Sequence, residues 1–137
     1  MILTLEVDGD VPLYQQLRDR IVEAIADGRL HVGDSLPATR QLAADLGINM
    51  HTVNKAYDLL RREGLIRLAR RTGAVVIRDA FTGPPPAGVA DEWEERARTL
   101  LAEAVAKGLD PSDVTHRVQR ILDGFPAGSS VRPTPER

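Results

Sequence analysis

The sequence predicts a mainly helical fold with one small β-hairpin wing, a winged helix-turn-helix followed by a C-terminal two-helix dimerisation hairpin. Three observations carry this expectation. Apolar residues recur at helical spacing along most of the chain, with Gly28, Gly47, Gly64 and Gly108 placed to stop the segments. Two strand-length runs, Leu65-Ile66-Arg67-Leu68 and Ala74-Val75-Val76-Ile77, flank the basic tip Ala69-Arg70-Arg71-Thr72-Gly73. The stiff stretch Thr82-Gly83-Pro84-Pro85-Pro86-Ala87-Gly88 then separates this body from the C-terminal third, because consecutive prolines favour extended backbone.

Taken in order, Leu3, Leu5 and Val7 alternate with polar residues, the period of a short half-buried strand. Pro12 suits a helix start, and Leu13, Leu17, Ile21 and Ile25 form one apolar stripe up to Gly28. Residues 28–37 are rich in turn formers, and Leu30, Val32 and Leu36 pin them as a connection. A short helix from about Pro37 to Asp45 buries Leu42, Ala43 and Leu46 and stops at Gly47. Asn49 caps a third helix whose buried face is Val53, Ala56, Tyr57 and Leu60. Helix, glycine turn, helix and basic hairpin make a winged helix-turn-helix over residues 1–80.

Residues 81–90 are the Pro/Gly linker, and 91–125 are expected to form a helical hairpin. Asp91 is placed to open its first helix, with Glu94 at the capping-box position and Trp93, Ala97, Leu100, Leu101 and Ala104 as its stripe. Asp110-Pro111 opens the second, with Val114, Val118, Ile121, Leu122 and Phe125. Residues 126–137 are rich in Pro, Gly and Ser, the composition of a disordered tail.

Composition narrows the function. The 137 residues include no cysteine, which excludes disulfide staples, thiolate metal sites and a cysteine nucleophile. His31 and His116 have no second histidine at ligand spacing, and no nucleophile elbow, phosphate loop or paired catalytic acids occur. Neither an enzyme nor a cofactor or metal is expected. Apolar runs as short as Gly73-Ala74-Val75-Val76-Ile77 cannot span a bilayer, and the acidic N-terminal stretch does not read as a secretory signal, so a cytoplasmic protein without a membrane partner is expected. The net charge is −2, yet Arg29 to Arg78 holds nine basic and four acidic residues, a local +5. The local field governs binding to a polyanion, so this segment is the candidate for double-stranded DNA.

A helix reads DNA when its first turns enter the major groove and its short polar side chains reach base edges. With Val53, Ala56, Tyr57 and Leu60 turned inward, Met50, His51, Asn54 and Lys55 point outward and Thr52 lies at the rim. Asn and His bond base edges, Lys neutralises phosphate, and a Thr methyl meets thymine. Arg40 lies near the backbone or groove edge if the second helix crosses the duplex, and Arg70 and Arg71 at the hairpin tip reach phosphates or the minor groove. Arg61, Arg62 and Arg67 read either as a solvated face or as phosphate contacts. Tyr57 and Trp93 read as core or interface residues.

The ordered run Leu36-Pro37-Ala38-Thr39-Arg40-Gln41-Leu42-Ala43, Leu46-Gly47-Ile48-Asn49-Met50-His51-Thr52-Val53-Asn54-Lys55-Ala56-Tyr57 and Glu63-Gly64-Leu65-Ile66 resembles the winged helix-turn-helix domain of the GntR family of bacterial regulators. The opening Val11-Pro12-Leu13-Tyr14-Gln15-Gln16-Leu17 and the later Lys55-Ala56-Tyr57 are similar to its YtrA-type branch, whose members carry a short two-helix C-terminal part. The resemblance implies a homodimeric transcription factor, usually a repressor, controlling its own or a neighbouring transporter operon through a pseudo-palindromic operator. On that pattern Arg40 is the DNA-contacting Arg of the second helix, Thr52 the contact in the recognition helix and Gly73 the wing glycine; with the residues read from the helix face and hairpin tip, the expected DNA-binding set is Arg40, Asn49, Met50, His51, Thr52, Asn54, Lys55, Arg70, Arg71, Thr72 and Gly73. Met50, Asn54 and Arg71 depart from residues common in the family, which bears on the operator sequence rather than on DNA binding.

The hairpin stripes, Trp93, Ala97, Leu100, Leu101 and Ala104 with Val114, Val118, Ile121 and Leu122, need burial, and the same hairpin on a second copy is the simplest partner. An unknown small-molecule effector, where one acts, is expected between protomers or between the hairpin and the DNA-binding domain. The competing function class is a winged-helix adaptor that binds protein instead of specific DNA; steep weakening of DNA binding with salt separates the two. Relatives of MocR type fuse this domain to a large aminotransferase, for which too few residues follow the wing.

Overall fold

The computed structural model describes residues 3–70 and 73–126. The chain forms two compact units, one extending to Thr82 and the other spanning Gly83–Phe125.

The first unit starts with an irregular arm and α1 (Leu13–Ala26), followed by β1 (Ser35–Leu36), α2 (Thr39–Leu46), α3 (Met50–Arg62), β2 (Ile66–Ala69) and β3 (Gly73–Val76). The core sits where α1, α2 and α3 meet the sheet: Leu17, Ile21, Leu36, Val53, Tyr57, Leu60, Ile66 and Val76 are all essentially inaccessible. Their spacing on α1 and α3 is the helical stripe read from the sequence. At the end of α2, Gly47 adopts φ +68°, a conformation that side-chain-bearing residues rarely take, and its turn lets Ile48 N–H reach the Ala43 carbonyl at 3.0 Å. Asn49 then caps α3, its Oδ1 accepting from His51 N–H at 2.7 Å.

The sheet is antiparallel with order β1-β3-β2. β3 pairs Ser35 with Val75 on one side and Ile66 with Val76 on the other. Residues 35–36, expected as plain connection, are thus a strand; two residues are too few to show a period. The strand expected at Leu3–Val7 does not form. Leu3 and Leu5 pack against the core from irregular backbone. The side chain of Gln16 on α1 takes the place of a strand partner: it accepts from Glu6 N–H at 2.7 Å and donates to the carbonyls of Glu6 at 2.9 Å and Val11 at 2.7 Å.

The end of this unit is tied down by a carboxylate. Asp79 is only 8% exposed. Its Oδ2 accepts from Val32 N–H at 3.0 Å, and its Oδ1 accepts from Phe81 N–H at 2.9 Å and from the Thr82 hydroxyl at 3.0 Å. The chain leaving β3 is therefore fixed to the loop after α1.

The second unit is a helical hairpin of α4 (Val89–Ala106) and α5 (Pro111–Asp123). Its first helix begins before Asp91, so Asp91 and Glu92 lie in the first turn, where acid favours the helix dipole, and no side chain caps the end. The expected Asp91/Glu94 capping box is absent for that reason. Asp110 and Pro111 open α5 as expected. Neither helix holds a buried residue. Arg71, Thr72 and the tail beyond Pro126, read as disordered, lie outside the described residues.

Candidate nucleic-acid interface

The first turns of α3 present His51 and Asn54 to solvent, with Thr52 half-buried between them. Val53, Ala56, Tyr57 and Leu60 hold the opposite side of the helix in the core, which leaves His51 and Asn54 exposed one turn apart. Asn49 uses one lone pair of its side-chain oxygen on the cap, and its amide N–H groups stay available to a ligand. Met50 is half-buried and packs against the core cluster. Lys55 is exposed, and its Nζ sits 4.0 Å from the centroid of the Tyr14 ring on α1.

Three elements converge beside this helix. The start of α2, the middle of α3 and the wing formed by β2 and β3 enclose a cleft of about 210 Å³ lined by Thr39, Asn54, Tyr57, Arg70 and Gly73. Two contacts fix this convergence. The Tyr57 hydroxyl donates to the Pro37 carbonyl at 2.7 Å, and burial pushes its pKa up, which keeps it protonated and donating. Gly73 adopts φ +82°, and a Cβ there would lie 2.2 Å from the same carbonyl oxygen. Gly73, read as a contact of the wing with DNA, is thus also the point where the wing backbone passes against the chain entering α2. Sequence reasoning placed Tyr57 in the core and missed its partner, because nothing local marks Pro37 as an acceptor.

Charge pairing separates the basic residues of this unit into two groups. Arg61 and Arg62 both bind Asp58, at 2.6 Å and 3.0 Å, and hold its carboxyl below the usual carboxylate range. Arg18 is held by Glu63 and Asp19, which raises its pKa. Arg20 binds Glu23, and Arg29 binds Asp27. Arg40, Lys55, Arg67 and Arg70 form no ion pair among the described residues, and all four are exposed. Asp45, five residues along α2 from Arg40, accepts from Gln41, one turn before it, at 2.8 Å. Unpaired guanidinium and ammonium groups carry their full charge to a phosphate backbone, whereas paired ones must first give up a partner. This division adds Arg67 to the candidate interface and removes Arg61 and Arg62, which sequence spacing could not separate.

The described residues hold no group of three or more His, Asp or Glu side chains suited to a metal ion. No helix among them is long and apolar enough to cross a membrane.

The sequence profile for "Bacterial regulatory proteins, gntR family" matches residues 13–76. The chain is 31% identical over 121 residues to the HTH-type transcriptional regulator Rv1152 of Mycobacterium tuberculosis, covering 88% of this chain and 94% of that protein. It is 33% identical over 81 residues to the HTH-type transcriptional repressor YtrA of Bacillus subtilis, covering 59% of this chain and 62% of that one. Among solved structures, YtrA from Sulfolobus acidocaldarius, a GntR-family transcription factor, superposes with a TM-score of 0.59 at 36% identity over 77% of this chain and 99% of that one.

Proposed function

Starting from the fact that the chain belongs to the gntR family of bacterial regulatory proteins, in its YtrA-like branch, and is a sequence-specific DNA-binding transcriptional regulator, we propose that it acts as a cytoplasmic homodimeric repressor. The reading of the interface is that α3 enters the major groove, with His51, Thr52 and Asn54 on base edges and Arg40, Lys55, Arg67 and Arg70 on the backbone.

The observation that carries the dimer is the bare hairpin. Trp93 is 61% exposed, Leu100 67% and Ile121 62%; Leu101, Val118 and Leu122 are exposed too, and Ala97, Ala104 and Val114 are only half-buried. Helical stripes of this size are stable when covered, and an identical hairpin is self-complementary about a two-fold axis. Two copies carry two recognition helices, which suits a pseudo-palindromic operator with half-sites spaced by the turn of the duplex. The Bacillus relative is named a repressor, and occupancy of a promoter by such a dimer blocks transcription of its own or a neighbouring transporter operon. A small-molecule effector bound across the dimer would act by changing the separation of the two helices.

Sedimentation tests the assembly. The wild-type chain is expected to run at twice its 15.0 kDa mass, and the double variant Leu100→Glu, Ile121→Glu as a folded monomer. A wild-type monomer, or a variant that stays dimeric, would contradict the reading.

A further inference from the structure

We propose that Tyr14 is a positioning residue of the DNA contact: its ring holds the Lys55 ammonium at the edge of the recognition helix, so that the two residues work as one backbone clamp joining α1 to α3. The proposal rests on the reading of Lys55 as a phosphate contact and adds to it a residue of another helix that acts through Lys55.

Lys55 stands on a fixed base. Its neighbours Val53 and Ala56 are completely buried, as are Leu17 and Ile21 on the facing stripe of α1. Only the four-carbon stem remains free, and an unrestrained lysine gives up substantial rotamer freedom when it binds a phosphate. The ring 4.0 Å from Nζ removes part of that freedom before DNA arrives. Electrostatics leave the ammonium open to an anion. Of the three cations on α3, Arg61 and Arg62 share the Asp58 carboxylate, and Lys55 has no carboxylate within 4.0 Å among the described residues. An aromatic face contributes attraction without net charge, so it orients the ammonium and leaves its full charge for the phosphate. A carboxylate in the place of Tyr14 would orient it equally well and cancel that charge. The α1 helix is itself anchored at the other end of α3 by the Arg18–Glu63 ion pair, which keeps Tyr14 in register with Lys55.

The test is a double-mutant cycle on the full chain with Tyr14→Leu, Lys55→Met and their combination, plus Tyr14→Phe. Binding is read by fluorescence anisotropy over a range of salt, on a duplex of the DNA upstream of the protein's own coding region and on a scrambled duplex. Lys55→Met is expected to weaken both and to reduce the slope of log affinity against log salt by about 0.9. Tyr14→Leu is expected to weaken both by about two- to fivefold, Tyr14→Phe to bind as wild type, and Tyr14→Leu to cost nothing further in the Lys55→Met background. Equal cost in the two backgrounds overturns the proposal, as does an unaffected Tyr14→Leu. A Tyr14→Phe as weak as Tyr14→Leu also overturns it and assigns the contact to the hydroxyl.

A DNA-free readout separates failure of the pair from failure of the interface. The Lys55 ε-methylene resonance is expected upfield in the wild type and Tyr14→Phe, and at its ordinary position in Tyr14→Leu. An ordinary position in the wild type overturns the pairing itself. An upfield resonance with unchanged binding in Lys55→Met overturns the phosphate reading instead, and the clamp with it.

Discussion

The hydroxyl of Tyr57 on α3 donates to the carbonyl oxygen of Pro37, the residue that leads into α2, and does so from a side chain that is 1% exposed. One hydrogen bond thereby ties α3 to the chain entering α2, which carries Arg40, and the wing backbone at Gly73 passes against the same carbonyl. The three elements of the candidate interface meet at this one peptide oxygen.

Tyr57→Phe keeps the ring and removes the donor, leaving the Pro37 carbonyl without this partner. A loss of about 1 to 3 kcal/mol in denaturant stability is expected, measured by urea unfolding. The same bond sets a pH limit. The folded-state pKa of Tyr57 is raised above its ordinary 10.0 by burial, so its contribution is complete below pH 10 and declines as pH rises beyond it. Thermal melts are expected to fall above pH 10, and to fall less in Tyr57→Phe.

Gly73→Ala adds a Cβ that meets the Pro37 oxygen at 2.2 Å, at φ +82°. Either the wing moves or the chain entering α2 moves. Destabilisation by more than about 1 kcal/mol is expected, together with weaker DNA binding. A stable variant of unchanged affinity would show that the close approach has no influence on the interface.

Arg40→Ala and Arg61→Ala test the division of cations. Arg40 has no ion-pair partner among the described residues, so its loss is expected to weaken operator binding by about 1 to 3 kcal/mol with an unchanged melting temperature. Arg61 is held by Asp58 at 2.6 Å, and its loss is expected to change affinity by less than about 0.5 kcal/mol. Similar losses in both would refute the division.

Much of this architecture was legible before any coordinates, because strong local signals carried it. The stripe Val53, Ala56, Tyr57 and Leu60 fixes which side of α3 faces inward, and with it the exposure of His51 and Asn54. Asn49 and Gly47 mark the turn by their caps. The parts that escaped depend on contacts between distant segments. Leu3, Leu5 and Val7 have the alternation of a strand, but Gln16 satisfies the backbone that a neighbouring strand would have paired. Arg61, Arg62 and Arg67 look alike in sequence, and only the position of Asp58 beneath the first two distinguishes them. The Asp79 clamp had a faint signal, an acid three residues before Thr82, the spacing of a local side-chain turn. Its long-range partner, Val32 N–H, had none.

The central claim is that α3 and the unpaired cations of α2, α3 and the wing form a specific DNA interface, and anisotropy titration of the purified protein tests it most directly. The targets are the DNA upstream of its own coding region and a scrambled duplex, at two salt concentrations. Tight binding to the upstream duplex alone, weakening steeply with salt, is the expected result. Equal, salt-insensitive binding to both would contradict the claim.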